Sequence, residues 1–360
     1  MNQECYRKII SGSSKGVLPA AARFILRLLS FIYSGIIRLR NLCYSVGCLP
    51  SASVEAAVIS IGNITAGGTG KTPLVIWLCN YLVKKNYRCA ILTRGYKSKQ
   101  GESSDEPATL EKGCPLAKII VNPDRIKGAR KAVRKYNSQV IVMDDGFQHR
   151  RLKRDLDIVT IDGTRPFGYG WLLPAGLLRE PLSSLKRAKA VVITRCDQTD
   201  KNKLTKIEQR LYRINPDLVI ARTVHKPTCA VTIDQSQIPL AELKGKKIFS
   251  FCGIGNPEAF LSTIEGLGFT AVGSKIYNDH HWYTDEDITN ICDEAKKLCA
   301  DVILTTQKDW TKIALLADTK SEIPLAYLMV EIDFIKGFDA IKGLIDRTLA
   351  DKIPPQGKDV

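Results

Sequence analysis

The sequence predicts an α/β protein: a P-loop kinase-type, doubly wound, mostly parallel sheet, a second, smaller α/β domain, and an N-terminal amphipathic helix. Three observations predict it. From Glu55 onward, short β-branched runs alternate with segments of helical periodicity, the pattern of repeated strand–helix–strand units. A glycine-rich turn at residues 67–72 joins an apolar run to a helical one. The first fifty residues carry seven basic residues and a single acid, Glu4.

That basic segment comes first in the chain. Over residues 20–42 the polar positions are Arg23, Arg27, Ser30, Ser34, Arg38 and Asn41, a spacing that draws one narrow stripe along a helix. Phe24, Ile25, Leu28, Leu29, Phe31, Ile32, Ile36 and Leu39 cover the other sides. A bilayer span needs about 20 predominantly apolar residues, whereas the longest uncharged run within this stretch is 28–37. The pattern therefore predicts a helix lying on an anionic membrane surface.

Strands are expected at 57–61, 89–92, 118–121, 140–143, 158–161, 191–194 and 219–221, and helices near 72–85, 125–136 and 203–212. The polar stretch 224–247 reads as a connector. A second unit follows, with strands near 248–251, 271–276, 302–304 and 326–330. The expected domains are thus 1–50, 51–225 and 226–360.

Composition bounds the function. With 360 residues the chain is long enough for two cores. A net charge of +16 calls for an anionic partner. The eleven cysteines are scattered without CxxC spacing, which argues for reduced thiols rather than zinc or disulfides. No cleavable signal peptide is evident.

The chemistry begins at Ser60-Ile-Gly-Asn-Ile-Thr-Ala-Gly-Gly-Thr-Gly-Lys-Thr72. Thr65, Ala66, Gly67, Gly68, Thr69 and Gly70 would wrap phosphate oxygens with backbone N–H groups at a helix N-terminus. Lys71 would reach the β- and γ-phosphates and Thr72 would ligate Mg²⁺. The usual first glycine of this motif is Thr65 here. A metal-holding carboxylate at a strand end is also needed, and Val140-Ile-Val-Met-Asp144-Asp145 supplies it. Gln148 and His149 follow at the same sheet edge, where ligands of open α/β sheets bind.

Two look-alikes are weaker. Gly253-Ile-Gly255 follows a strand, but Glu258 occupies the third position of a dinucleotide loop. Thr194-Arg-Cys-Asp197 is a poor guanine-reading motif, which disfavours a GTPase or nucleotide-dependent chaperone. A basic protein that only coats membranes or nucleic acid would leave the glycine-rich turn and the acid pair idle, and nucleic acid is not expected as a partner.

Further segments complete a pattern: Ser14-Lys-Gly-Val-Leu-Pro19, Leu92-Thr-Arg-Gly-Tyr96, Ser104-Asp-Glu-Pro107, Leu172-Leu-Pro-Ala-Gly176, Leu178-Arg-Glu-Pro181, Phe251-Cys-Gly-Ile-Gly-Asn-Pro257, Asp279-His280 and Thr306-Gln-Lys-Asp309. In order and spacing, over about residues 15–345, they resemble the tetraacyldisaccharide 4′-kinase family of Gram-negative lipid A biosynthesis. The resemblance implies phosphoryl transfer from ATP to the 4′-hydroxyl of an acylated glucosamine disaccharide 1-phosphate, giving lipid IVA. It implies Asp105 as the base, oriented by His280, with Lys71 and Arg179 around the transferred phosphoryl group. It also implies a metal site of Thr72, Asp144, Asp145 and Glu180, substrate contacts from Asn63, Gln148 and His149, and a place on the cytoplasmic face of the inner membrane. Tyr169 and Leu177 depart from the family pattern, which has Asn and Pro there.

Overall fold

A computed structural model describes residues 3–95, 105–314, 316 and 322–353. The chain opens with helices α1 (Gln3–Ser11) and α2 (Val17–Ser45). Strand β1 (Ala57–Asn63) leads through the glycine-rich turn into α3 (Lys71–Lys84), and β2 (Cys89–Thr93) follows. Then come α4 (Asp105–Gly113), β3 (Lys118–Val121), α5 (Arg125–Tyr136), β4 (Val140–Asp144) and β5 (Leu156–Asp162). Next are β6 (Ala190–Thr194), α6 (Lys201–Ile214), the long β7 (Val219–Thr232), β8 (Gln237–Pro239) and α7 (Leu240–Leu243). The remainder runs through β9 (Lys247–Cys252), α8 (Pro257–Gly266), β10 (Thr270–Ile276), α9 (Asp285–Lys297) and β11 (Val302–Thr306). It ends with α10 (Gln307–Ile313), β12 (Leu325–Lys336) and α11 (Phe338–Lys352).

The chain forms two compact units. In the first, parallel strands lie in the order β7-β6-β5-β1-β4-β2-β3. Strands β5 to β7 lie to one side of β1 and β2 to β4 to the other, so connections diverge around β1, which is where such sheets bind ligands. Every residue of β1, β4 and β5 is buried, which explains their continuous apolar runs. The register pairs Ile61 with Asp144 and Asn63 with Thr160, and Asp162 with Thr194. One carboxyl edge therefore gathers Asn63, Asp144, Asp162 and Thr194. The second unit holds the parallel strands β10-β9-β11-β12 and the hairpin of β7 with β8.

Three expectations are corrected. The supposed connector begins as strand: β7 continues to Thr232, and Cys229, Ala230 and Val231 are buried on it. Interleaved polar residues such as His225 and Lys226 hid that strand. The boundary at 226–360 also moves, because α11 belongs to the first unit. There Ile341, Ile345 and Leu349 are buried, and Asp346 accepts a hydrogen bond from Tyr81 Oη (2.8 Å). Finally α4 belongs to the second unit, where it packs on α10.

Helix α2 is long and apolar enough, by length and composition, to cross a membrane. It also docks the other way round from an ordinary surface helix. Its polar stripe faces the first unit: Ser30 is 2% exposed and donates to Leu172 O (2.8 Å). Tyr33 Oη donates to Arg179 O (3.0 Å), and Asn41 Nδ2 to Glu180 Oε2 (2.8 Å). The apolar flank faces outward, with Phe31 80%, Phe24 63% and Leu39 62% exposed.

Candidate active site

The glycine-rich turn is held from behind. Thr65 forms an antiparallel bridge with Leu178, Ala66 N–H donates to Leu177 O (2.7 Å), and Arg179 N–H donates to Ile64 O (2.7 Å). Thr65 can replace the usual glycine because it lies in this extended pairing. Only Gly67 (φ 108°) and Gly70 (φ 78°) in the turn take the left-handed backbone that favours glycine.

Three successive carbonyls of the turn are drawn inward. Asn63 Nδ2 donates to Gly67 O (3.4 Å), Arg195 Nη1 to Gly68 O (3.0 Å) and Thr194 Oγ1 to Thr69 O (3.0 Å). The N–H on the far side of each trans peptide then points outward. Those outward groups belong to Gly68, Thr69 and Gly70, just ahead of α3, whose N-terminus has no side-chain cap. Outward N–H groups at the positive end of a helix dipole make an anion cradle. Sequence reasoning missed this support. Thr194-Arg195, weighed as a guanine reader, instead braces the turn, and Asp162 fixes Arg195 at 2.6 Å in a buried pair.

At the mouth of the cradle stands Asp145, just past β4, with a left-handed backbone (φ 50°). Lys71 Nζ lies 3.5 Å from its carboxylate, and Arg179 Nη1 donates to both oxygens at 2.9 and 3.0 Å. Burial would raise the Asp145 pKa, but Lys71 and Arg179 outweigh it and hold the carboxyl well below the usual carboxylate range. The group is an anion that parks both cations. Asn63 ties the set together, its Oδ1 accepting from Arg179 Nη1 (3.1 Å) and its carbonyl from Gln148 Nε2 (2.8 Å). His149 is pushed down to about 4, first by burial and then by Arg125, Arg151, Arg154 and Arg40 around it. Its imidazole is neutral at pH 7.

Glu180 is expected among the metal ligands, and its contacts in the structure are structural. It is fully buried, with Arg187 at 2.7 Å on one oxygen and Asn41 at 2.8 Å on the other. Burial would raise its pKa, but Arg187 and the hydrogen bonds of Asn41 and Ser184 lower it. Among the described residues no three carboxylate, imidazole or thiol side chains converge. A buried carboxylate needs partners, and this one spends its oxygens clamping α2.

In the second unit His280 sits on a left-handed residue (φ 63°) and donates its backbone N–H to Gly253 O (3.1 Å). A Cβ on Gly253 would meet Asn278 O at 3.1 Å and Asp309 Oδ1 at 3.2 Å, so the loop packs closely against it. Asp309 is buried and accepts from Gly253 N–H (3.0 Å) and Thr306 Oγ1 (2.7 Å). Lys308 Nζ lies 3.1 Å from His280 Nε2 and 3.2 Å from Asp279 Oδ1. Lys308 is a neighbour of His280 that spacing alone did not single out. His281 turns away, bonding Asp287 (2.9 Å) and stacking on Tyr277. Asp105 is the first residue of α4, in the same unit as His280. Its side chain, like Tyr96 and Ser104, lies outside the described residues.

Comparison with known proteins fits this geometry. A family profile described as tetraacyldisaccharide-1-P 4′-kinase matches residues 22–350. A protein named tetraacyldisaccharide 4′-kinase from Halothermothrix orenii is 39% identical over 337 residues, covering 85% of this chain and 87% of the relative. One of the same name from Syntrophus aciditrophicus is 37% identical over 335 residues, covering 86% and 88%. A crystal structure of LpxK from Aquifex aeolicus in complex with ATP superposes with a TM-score of 0.69 at 28% identity, covering 91% of this chain and 99% of that one. The chain belongs to the tetraacyldisaccharide-1-P 4′-kinase family.

Proposed function

We propose that the protein transfers the γ-phosphoryl group of ATP to the 4′-hydroxyl of an acylated glucosamine disaccharide 1-phosphate. The observation that carries this reading is the cradle ahead of α3, with Lys71 and Arg179 poised beside it on Asp145, in a chain of this family. A phosphoryl transition state spreads charge over its equatorial oxygens, and catalysis is mainly positioning and charge stabilisation. Gly68, Thr69 and Gly70 offer N–H groups to the phosphates. Lys71 and Arg179 leave Asp145 for the transferring group.

Thr72 offers a hydroxyl and Asp144, at the end of β4, a carboxylate. Such hard oxygen donors fit Mg²⁺, which takes few protein ligands beside phosphates and waters. When bound, the ion neutralises charge on the phosphate oxygens. Asp105 takes the proton of the attacking hydroxyl, and His280, steadied by Asp279 and Lys308, orients it. Asn63, Gln148 and neutral His149 hydrogen-bond the sugar. The outward apolar flank of α2 lies in the cytoplasmic leaflet of the inner membrane, where the lipid substrate is presented. The test is incubation with labelled ATP, Mg²⁺ and an acyl-disaccharide 1-phosphate. A new 4′-phosphomonoester is expected, and ATP turnover without a phosphorylated lipid would overturn the reading.

A further inference from the structure

A cavity of about 330 Å³ opens between α1, the first half of α2 and the loop at residues 169–175. That volume falls at the lower end of the range of roughly 300–1,000 Å³ of ligand pockets. Arg23 and Arg27 line it from α2, Tyr169 and Trp171 from the loop, and Ile10 and Ser11 from α1. Hydrogen bonds tie its walls: Tyr6 Oη donates to Pro174 O (2.8 Å), Ser30 Oγ to Leu172 O (2.8 Å) and Arg23 Nη1 to Ser14 O (2.7 Å).

Among the described residues no carboxylate pairs with the two arginines of this cavity. Arg23 spends one nitrogen on a carbonyl, and Arg27 lies over the Trp171 ring at 5.1 Å. No acid occurs in the sequence between Glu4 and Glu55. Two guanidinium groups in a walled pocket favour a bidentate oxyanion such as phosphate. The rim says where that phosphate comes from. Val17 and Leu18 are 85% and 84% exposed and begin the outward apolar flank, and Trp171, also exposed, is of the type that settles at a bilayer interface.

We propose that this cavity binds the phosphate of a lipid headgroup. The chemistry is shared by two sources: a membrane glycerophospholipid and, resting on the function proposed above, the 1-phosphate of the disaccharide itself. The second source is geometrically sensible. Arg27 precedes Tyr33 by six residues, about 9 Å along the helix, and Tyr33 holds the Arg179 backbone at the catalytic edge.

Two measurements on the full chain test the proposal. The first is flotation with phosphatidylcholine vesicles, with and without phosphatidylglycerol, in the absence of ATP and disaccharide. The variant is Arg23→Gln with Arg27→Gln. The control is Lys15→Gln with Arg38→Gln, which removes equal charge from exposed positions outside the cavity. If the phosphate is the membrane's, the cavity variant loses about tenfold more affinity for the anionic vesicles than the control does, and both bind neutral vesicles alike. The second is kinetics in neutral detergent micelles. If the phosphate is the substrate's, the cavity variant shows KM raised about tenfold with kcat nearly unchanged, since a ground-state contact is lost. Either result supports the site and names its source. A cavity variant that tracks the control in both measurements overturns it. Should the double variant fail to fold, Arg27→Gln alone, exposed and held only over Trp171, carries the same readouts. An enzyme inactive on the disaccharide would sink the proposed function yet leave the flotation result standing.

Discussion

The phosphate cradle and the His280 turn both rely on left-handed backbone, but they are made of different material. In the cradle the functional groups are main-chain N–H groups, aimed outward because Asn63, Thr194 and Arg195 pull three carbonyls inward. At His280 the group proposed to act is one side chain, aimed by its neighbours Lys308 and Asp279 and by a loop that Asp309 pins to Gly253. The first arrangement is a pre-organised set of backbone dipoles, braced locally by Asn63 and across the sheet edge by Thr194 and Arg195. The second depends on one imidazole being held by a side chain 28 residues away, in a loop pinned by a residue 56 positions from Gly253. Damage to the two should therefore differ in kind.

The largest expected effect is at the cradle. Lys71→Ala should lower kcat by at least about 10²-fold with an unchanged melting temperature, because it removes transition-state charge stabilisation and not packing. Near-normal turnover would detach Lys71 from the chemistry. Next comes His280→Ala, with a loss of about 10²-fold. Combined with Asp105→Ala it should be scarcely slower than the worse single variant, since groups acting as a unit are non-additive. A double-mutant cycle on kcat/KM reads this directly, and full additivity of the logarithms would reduce His280 to a turn residue. Lys308→Met should share that coupling with His280 while leaving Lys71→Ala additive.

A smaller effect concerns pH. His149 has a folded pKa of about 4 against an ordinary 6.5, so between those values the unfolded chain binds the proton that the folded protein refuses. Its contribution is to lose stability as pH falls from 6.5 toward 4, with nothing lost above 6.5. His149→Asn should flatten the fall in melting temperature across that window, and an unaltered slope would show that other groups set the acid sensitivity. The smallest effect lies in the loop laced to the cradle. Tyr169 holds φ 65°, a conformation that asparagine tolerates better than tyrosine. Tyr169→Asn should raise stability by about 1 kcal/mol or less, measurable by thermal melting, with kcat unmoved.

The same contrast explains what could be read in the sequence. Strands β1, β2, β4, β5 and β6 were legible because each is a continuous buried run, and the cradle was legible because phosphate binding by main chain demands glycines at fixed spacing. Asp145 could be named, but not its partners, since Arg179 comes from a segment 34 residues later. The partners of Glu180 could not be read either, since Arg187 and Asn41 reach it from two different segments. The extent of β7 was lost because its polar residues break the apolar pattern that marks a strand. In α2 both faces were legible, but not what the stripe meets: the structure turns it inward onto Leu172 and Glu180.

That direction has a practical consequence. Cutting away the first fifty residues to obtain a detergent-free catalyst would strip Asn41 from Glu180 and Tyr33 from the Arg179 carbonyl. The clamp beside the cradle would be left with Arg187 and Ser184, so truncation should cost turnover as well as lipid attachment. The converse holds for the intact chain. A copy that misses the bilayer presents water with the unbroken row from Phe24 through Phe31 to Leu39, a sticky flank that invites self-association. Seating on lipid is in this sense a folding step that the newly made chain has still to complete.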